Sequence, residues 1–271
     1  MYAQTMIGSV LMRNHAAHAI LYVPMYLVPL SLAVSVVDTA NEPEESRVTL
    51  PSDGAWVRYK VQLQDEEEGV VSHDEFVTTI SLVGTASDKE QRCRWVEMKS
   101  VAFDSKGAPS RTHLTKLLIP ETEMLKSNNP LKQAVRGWVR VADEQPSLMV
   151  PISWDPGLFV GESLSWLPGV RAGLREVDKP RDVEYQRGKL NRADAVSGTR
   201  EWTKTETPEL GNSHWKSRFT VWHHADLHWG FARAEVEAEK WLGDEREARV
   251  TFTYLLEDAG KDARSALPES N

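Results

Sequence analysis

The chain of 271 residues carries 32 Lys and Arg against 40 Asp and Glu, which gives a formal net charge of -8, and it contains one cysteine. A single cysteine excludes a framework of intrachain disulfides and a zinc site built from several thiolates. The negative charge, without any run of Lys or Arg, also argues against nucleic acid as a partner, because affinity for a phosphate backbone needs clustered cations.

An uncharged, mainly apolar stretch, residues 19–37, lies near the N-terminus. It follows the basic Arg13 and precedes the acidic Asp38, an order typical of secretory signal peptides. Small residues at the third and first positions before the cut favour cleavage after Ser35. We therefore predict that residues 1–35 are a signal peptide and that the protein is exported to the periplasm or the extracellular space.

The same stretch leaves a second interpretation open, a retained N-terminal membrane anchor. Its 19 residues are just long enough to span a hydrocarbon layer of about 30 Å. Pro24 and Pro29 argue against a spanning helix, because each removes a helical N–H and clashes with the preceding turn. We expect no stable transmembrane segment once the signal has been removed.

The remaining chain predicts one folded domain. Residues 36–52 are polar and without periodicity, which is typical of a linker. A single β-rich domain is expected over residues 53–256. Residues 257–271 predict a polar tail that frays.

Strict period-two alternation is the dominant signal of this domain. In residues 55–64, apolar side chains alternate with charged and polar ones, so one side of the strand is core and the other is solvent. Further strands are predicted at residues 75–83, 93–101 and 113–119, and their hairpin-length connections favour antiparallel pairing. The inward side is expected to include Val57, Tyr59, Val61, Leu63, Ile80 and Leu82.

The middle of the chain is less regular. Asn129 and Pro130 predict the start of a helix of two or three turns that ends before Gly137, with asparagine as the cap and proline in the first helical position. Residues 145–178 hold many Pro and Gly residues but also many apolar ones. They predict a packed, irregular crossover over one face of the sheet.

Alternation returns in the second half of the chain. Residues 230–241 have a composition that favours helix, but their strict alternation favours a strand. The predicted strands of this half are residues 182–185, 189–198, 199–205, 215–223, 230–241 and 249–256. The fold class predicted from all these elements is mainly β (α+β): a curved antiparallel sheet or half-barrel with one short helix and an irregular crossover.

Part of this half resembles a known group of proteins. The sequences VEYQRGKL (residues 183–190), VSG (196–198), FTVW (219–222) and DLHWGFARAEV (226–236) are similar to uncharacterised exported bacterial β-sheet proteins with a LolA-like half-barrel, the fold of lipoprotein carriers. The chain departs from that pattern at His228, where the corner usually carries proline. The resemblance implies a curved antiparallel sheet with a helical lid and an apolar concave face, and it makes a lipid or lipoprotein the partner class to test.

One cluster has metal-ligating residue types. His223, His224, Asp226 and His228 lie within six positions, with His214 upstream, and imidazoles with a carboxylate can bind Zn, Ni or Cu. The favoured alternative is a solvated surface turn, because adjacent histidines in an extended chain point to opposite sides and the glutamate of a metalloprotease motif is missing. We therefore expect no metal or other cofactor.

A cysteine between two arginines is a candidate nucleophile. Arg92 and Arg94 flank Cys93, and neighbouring cations can lower the pKa of a thiol. The alternation around Trp95 instead favours an ordinary strand position, and that is the interpretation we prefer.

Three carboxylates share one face of a predicted strand. Glu235, Glu237 and Glu239 are spaced about 7 Å apart, so that two of them can flank a glycosidic bond. Salt bridges to Lys216 and Arg218 on a neighbouring strand are the favoured alternative.

The function predicted from the sequence is non-catalytic. We expect an exported binding or scaffolding protein of the cell envelope, for an apolar or lipidic ligand, and we assign no catalytic residue. The first alternative is a metal-dependent or carboxylate hydrolase centred on residues 223–228. The second is a carbohydrate-binding module that uses exposed members of the ten Trp residues.

Overall fold

The computed structural model describes residues 50–67, 69–104, 106–127, 130–142, 145–149, 173–205, 212–227 and 229–267. These residues form eleven strands, one α-helix and one 3-10 helix. In chain order they are β1 (Trp56–Glu67), β2 (Val70–Asp88), β3 (Gln91–Phe103), β4 (Pro109–Pro120), α1 (Glu121–Lys126), the 3-10 helix (Pro130–Gln133), β5 (Arg136–Val141), β6 (Ser147–Met149), β7 (Arg175–Tyr185), β8 (Gly188–Thr205), β9 (Asn212–His223), β10 (Arg233–Leu242) and β11 (Glu245–Gly260).

All the described strands belong to one antiparallel sheet with the order β6-β5-β4-β3-β2-β1-β11-β10-β9-β8-β7. Two meanders, β1 to β6 and β7 to β11, are joined where β1 pairs with β11. The sheet is curved and not closed, so the predicted fold class is confirmed.

One face of the sheet, which we call the apolar face, carries the core. The six side chains predicted to point inward are all buried: Val57, Tyr59, Val61, Leu63, Ile80 and Leu82. Alternate residues of β11, which pairs with β1, and of β10, which pairs with β11, continue this face. They are Ala234, Val236 and Ala238 on β10, and Val250, Phe252, Tyr254 and Leu256 on β11.

The connection between β9 and β10 contributes to this core. Phe231 stacks on Tyr59 with ring centroids 4.3 Å apart, and its backbone N–H donates to the Tyr59 hydroxyl at 3.0 Å. Gly230 has a φ of +82°, and a Cβ there would overlap the Tyr59 hydroxyl oxygen. Only glycine fits this close approach without strain.

The opposite face, which we call the polar face, carries ion pairs between neighbouring strands. Lys216 Nζ lies 2.8 Å from Glu201, joining β9 to β8, and Lys60 Nζ lies 2.8 Å from Glu75, joining β1 to β2. The turn between β7 and β8 also reaches this face, where Arg187 Nε lies 2.6 Å from Asp258 on β11. The hairpin of β7 and β8 therefore contacts the middle of the sheet.

The helix prediction was wrong in place and length. The chain after Pro130 makes one 3-10 turn, and by Arg136 it has entered β5, whose pairing with β4 replaces helical hydrogen bonds. The α-helix is α1, which starts directly after Pro120 and buries Met124. In the described part of the chain, neither helix is long and apolar enough to cross a membrane, and the apolar run of residues 19–37 lies outside it.

The predicted tail also needs correction. Strand β11 continues to Gly260, and residues 261–267, which we call the C-terminal strap, pack on the sheet. Leu267 is only 2% exposed, so this part of the tail is ordered rather than frayed.

Other boundaries shift because pairing extends the strands. Strand β7 begins at Arg175, inside the predicted crossover, and the two strands predicted over residues 189–205 are one, β8. The short strands β5 and β6 were not predicted. Residues 150–172 of the predicted crossover lie outside the described residues.

Candidate functional site

In the turn after β9, both ring nitrogens of His224 contact backbone groups. His224 Nδ1 accepts from the backbone N–H of Asp226 at 3.2 Å, so Nε2 carries the proton and donates to the carbonyl of Asn191 at 3.1 Å. His223 is buried, at a position that alternates with Phe219 and Val221 on the apolar face. The expectation of a solvated turn is therefore wrong for His223, which is buried, whereas the Asp226 side chain is 82% exposed.

The candidate metal ligands do not converge. His214 lies nine positions before His223 on β9, a separation of about 30 Å along an extended strand. Its Nε2 is 3.8 Å from Glu201. Within the described residues no three His, Cys, Asp or Glu side chains are arranged to hold a metal ion, and His228 lies outside them.

Cys93 is a core residue. Its side chain is fully buried in a cluster with Val83, Trp95 and Leu118. Burial raises the pKa of the thiol, and Arg94 turns away to Asp53 at 2.5 Å. A protonated, buried thiol is a poor nucleophile, so the strand interpretation is the better one.

The carboxylates of β10 are held by arginines. Glu235 contacts Arg181 at 3.1 Å and Arg233 at 2.8 Å. Glu237 contacts Arg218 at 2.9 Å and also Arg249. The predicted salt bridge to Arg218 is confirmed.

These contacts set the protonation state of Glu237. The hydrogen bond from Arg249 is the main cause that holds the pKa of this carboxyl below its ordinary value, and Arg218 adds to it. Glu237 is therefore an ionised acceptor at neutral pH, unsuited to act as a general acid. Lys216, the other predicted partner, pairs with Glu201 instead.

The same side chains border a groove of about 750 Å³ on the polar face, which we call the polar groove. Strand register aligns its lining in two rows. The first row is Arg175, Ser197, Thr220, Glu235 and Thr253, and the second is Thr199, Arg218, Glu237 and Thr251. Five hydroxyls from three strands thus lie between charged groups.

Positively charged side chains outnumber negatively charged ones around the polar groove. Arg181 and Arg233 hold Glu235, whereas Arg175 lines the groove without an ion-pair partner among the described residues. Arg218 is 64% exposed, so its guanidinium can contact both Glu237 and a bound molecule. The groove can therefore offer hydroxyls and guanidiniums to an acceptor-rich group.

No tryptophan whose side chain the structure describes offers an exposed stacking platform. Where their side chains are described they are buried or half-buried. Trp222, for example, is 2% exposed, with the Arg181 guanidinium 4.8 Å above its ring.

Comparisons with known proteins add little. No protein-family model and no curated protein matches the sequence. Among solved structures, the chain is similar to a DUF1329 family protein from Desulfovibrio piger, with 11% identity over 80% of this chain and 89% of that one. The TM-score is 0.27, which supports no inference about function.

Proposed function

We propose that this protein is a non-catalytic binding protein, exported to the cell envelope, and that the polar groove is its ligand site. The observation that carries the proposal is the pair of rows that align five hydroxyls with Arg175 and Arg218. The ligand expected from this lining is anionic and rich in hydrogen-bond acceptors.

Charge is the first argument for an anionic ligand. The chain as a whole has a net charge of -8, so it repels anions at long range. At the groove, Arg181 and Arg233 hold Glu235, Arg218 and Arg249 hold Glu237, and Arg175 adds a fifth guanidinium. Guanidiniums bind phosphate and carboxylate groups in two-pronged geometry, and Ser and Thr hydroxyls can complete such a site.

The apolar face is a weaker candidate site. Its residues, such as Val61, Leu63 and Phe252, are already packed with almost no exposed surface. An apolar ligand would have to displace part of this core, whereas the polar groove is open. The resemblance to LolA-type carriers makes a lipid the partner class to test, and an anionic lipid headgroup has the chemistry expected for the groove.

The ion pairs favour binding over acid–base catalysis. Glu235 and Glu237 are held by two guanidiniums each, and both ring nitrogens of His224 are committed to backbone groups. The hydrolase alternative therefore lacks a free acid or base among these residues.

Thermal shift measurements with matched probes test the site. We expect glucose 6-phosphate to raise the Tm in a concentration-dependent manner and glucose to leave it unchanged, because only the first carries a negative group. Arg218→Ala should remove the shift. Lys216→Ala is the matched control, since Lys216 lies two residues away on the same face but pairs with Glu201.

The comparison of short-chain phosphatidylglycerol with phosphatidylcholine shows whether a lipid headgroup serves as well as a free phosphate. A Tm that responds to none of the anionic probes, or equal effects of the two variants, would contradict the proposal.

Intact-mass analysis tests export separately. We expect the mature protein in the periplasmic or secreted fraction to begin at Val36. A full-length species retained in the membrane fraction would favour the anchor alternative.

A further inference from the structure

The C-terminal strap crosses the polar face on the first meander, away from the polar groove. The N–H of Ala263 donates to the carbonyl of Gly54 at 2.9 Å. Ala263 also packs against the buried cluster of Val83, Cys93, Trp95 and Leu118. The strap therefore covers a small apolar patch formed by β2, β3 and β4.

A buried carboxylate holds the end of the strap. Glu97 on β3 is 5% exposed. It lies 2.8 Å from the Ser265 hydroxyl, 3.1 Å from the backbone nitrogen of Ala266 and 3.4 Å from that of Leu267. Successive donors thus surround one carboxylate.

A buried lysine holds the same end of the strap from the opposite side. Lys116, the cross-strand neighbour of Glu97 on β4, is fully buried and lies 4.9 Å from the centre of the Trp95 ring. Its Nζ lies 3.4 Å from the carbonyl oxygen of Leu267. The Leu267 side chain is itself buried.

These contacts define a chemical class of ligand. Glu97 accepts from main-chain N–H groups and Lys116 donates to a main-chain carbonyl, so most of the polar recognition would suit any peptide. The Ser265 hydroxyl and the Leu267 side chain add specificity. The ligand that fits these contacts is a peptide segment with a serine or threonine, a small residue and a leucine in succession.

The polar side chains of this site contrast with an apolar core. A cover that is permanently part of a core is held more stably by apolar side chains, because burying a carboxylate and an ammonium costs desolvation energy. Without the strap, Glu97 and Lys116 would lie on the polar face of the sheet and regain water. The arrangement therefore suits a segment that binds and leaves.

We propose that Glu97 and Lys116 form a peptide-binding site, and that the C-terminal strap occupies it as an intramolecular ligand that a peptide of the same sequence can replace. The proposal is independent of the polar groove. It assigns to the protein a second binding site, for polypeptide, whose access is controlled by its own C-terminal strap.

The test uses the full-length chain with Leu267→Asp, which places a charge in the leucine site and should release the strap. A fluorescent peptide with the sequence of residues 261–271 is the probe, followed by fluorescence anisotropy. We expect the variant to bind it about tenfold or more tightly than the wild type does, because the wild-type strap competes at a high effective concentration.

Matched variants define the contacts. Adding Glu97→Gln to the Leu267→Asp chain should weaken peptide binding about tenfold, since an amide offers one acceptor oxygen where the carboxyl group offers two. Adding Glu201→Gln, on the same face but distant from the strap, should leave it unchanged. A probe peptide with the leucine replaced by aspartate should not bind. A folded Leu267→Asp chain that binds no more peptide than the wild type overturns the proposal.

Hydrogen exchange of the wild-type protein tests the proposal even if that variant does not fold. We expect the amides of Ala266 and Leu267 to exchange through a local opening that is insensitive to low urea, well before the amides of β3. Exchange at the same free energy as β3 would make the strap an inseparable part of the core and overturn the proposal.

Discussion

Replacing Tyr59 by phenylalanine removes one oxygen from the centre of the apolar face. The ring can keep its stacking on Phe231, but the backbone N–H of Phe231 loses the hydroxyl that accepts from it at 3.0 Å. Tyr59 is fully buried, so water cannot replace the lost acceptor without entering the core. A buried donor left without an acceptor costs about 1–3 kcal/mol.

That cost should be visible in both chemical and thermal unfolding. In a domain of this size, 1 kcal/mol shifts the Tm by about 2–4 °C, so we expect Tyr59→Phe to lower it by about 2–12 °C. Urea titration should show a lower midpoint with an unchanged slope, because the surface exposed on unfolding stays the same. Tyr59→Asp should be far more severe, since it adds an unpaired charge to the core.

Tyr185→Phe is the matched control, because Tyr185 lies at the end of β7 and is only half-buried. It should change stability by about 0.5 kcal/mol or less. If Tyr59→Phe unfolds at the same urea concentration as this control, the reasoning about the orphaned N–H is refuted.

Three further outcomes follow from single side chains. Because the pKa of Glu237 is lower in the folded state, its stabilising contribution is complete above the unfolded-state value of about 4.3. That contribution is lost as the pH falls through the folded-state pKa. The difference in urea midpoint between wild type and Glu237→Gln should therefore be largest near neutral pH and should disappear in acid. Cys93, buried with a raised pKa, should react with a thiol reagent much more slowly in the native protein than in urea, and equal rates would contradict its burial. Replacing His224 by alanine should destabilise the protein by about 1 kcal/mol, because two contacts to backbone groups are lost. Adding Zn²⁺ should leave the Tm unchanged, and a metal-dependent rise in Tm would support the hydrolase alternative.

Alternation predicted the strands and their faces well because it is a local signal. In β1, every second residue from Val57 to Leu63 is apolar, and the pattern directly reports which side meets the core. The helix was misplaced for the opposite reason. A helix of six residues such as α1 has no periodicity to detect, whereas the proline after Asn129 suits a single 3-10 turn as well as a longer helix.

The polar groove could not be predicted from alternation along single strands. Its rows combine Arg175, Ser197, Thr220, Glu235 and Thr253, which lie on five strands spread over much of the second half of the chain. Alternation assigns each residue to a face, but only the register between strands places them side by side. The buried Glu97 was equally hidden, because its partners in the strap belong to a segment that looks like a polar tail.

The pairing of β1 with β11 has a consequence for how the protein is made. Trp56 meets Gly260 across this seam, about 200 residues later in the chain, so the central pairing of the sheet depends on very distant contacts. The first meander can assemble early during synthesis, but one edge of β1 stays unpaired until β11 has emerged. An open strand edge of this kind recruits other chains, so folding of this protein should be slow and most prone to aggregation in that interval.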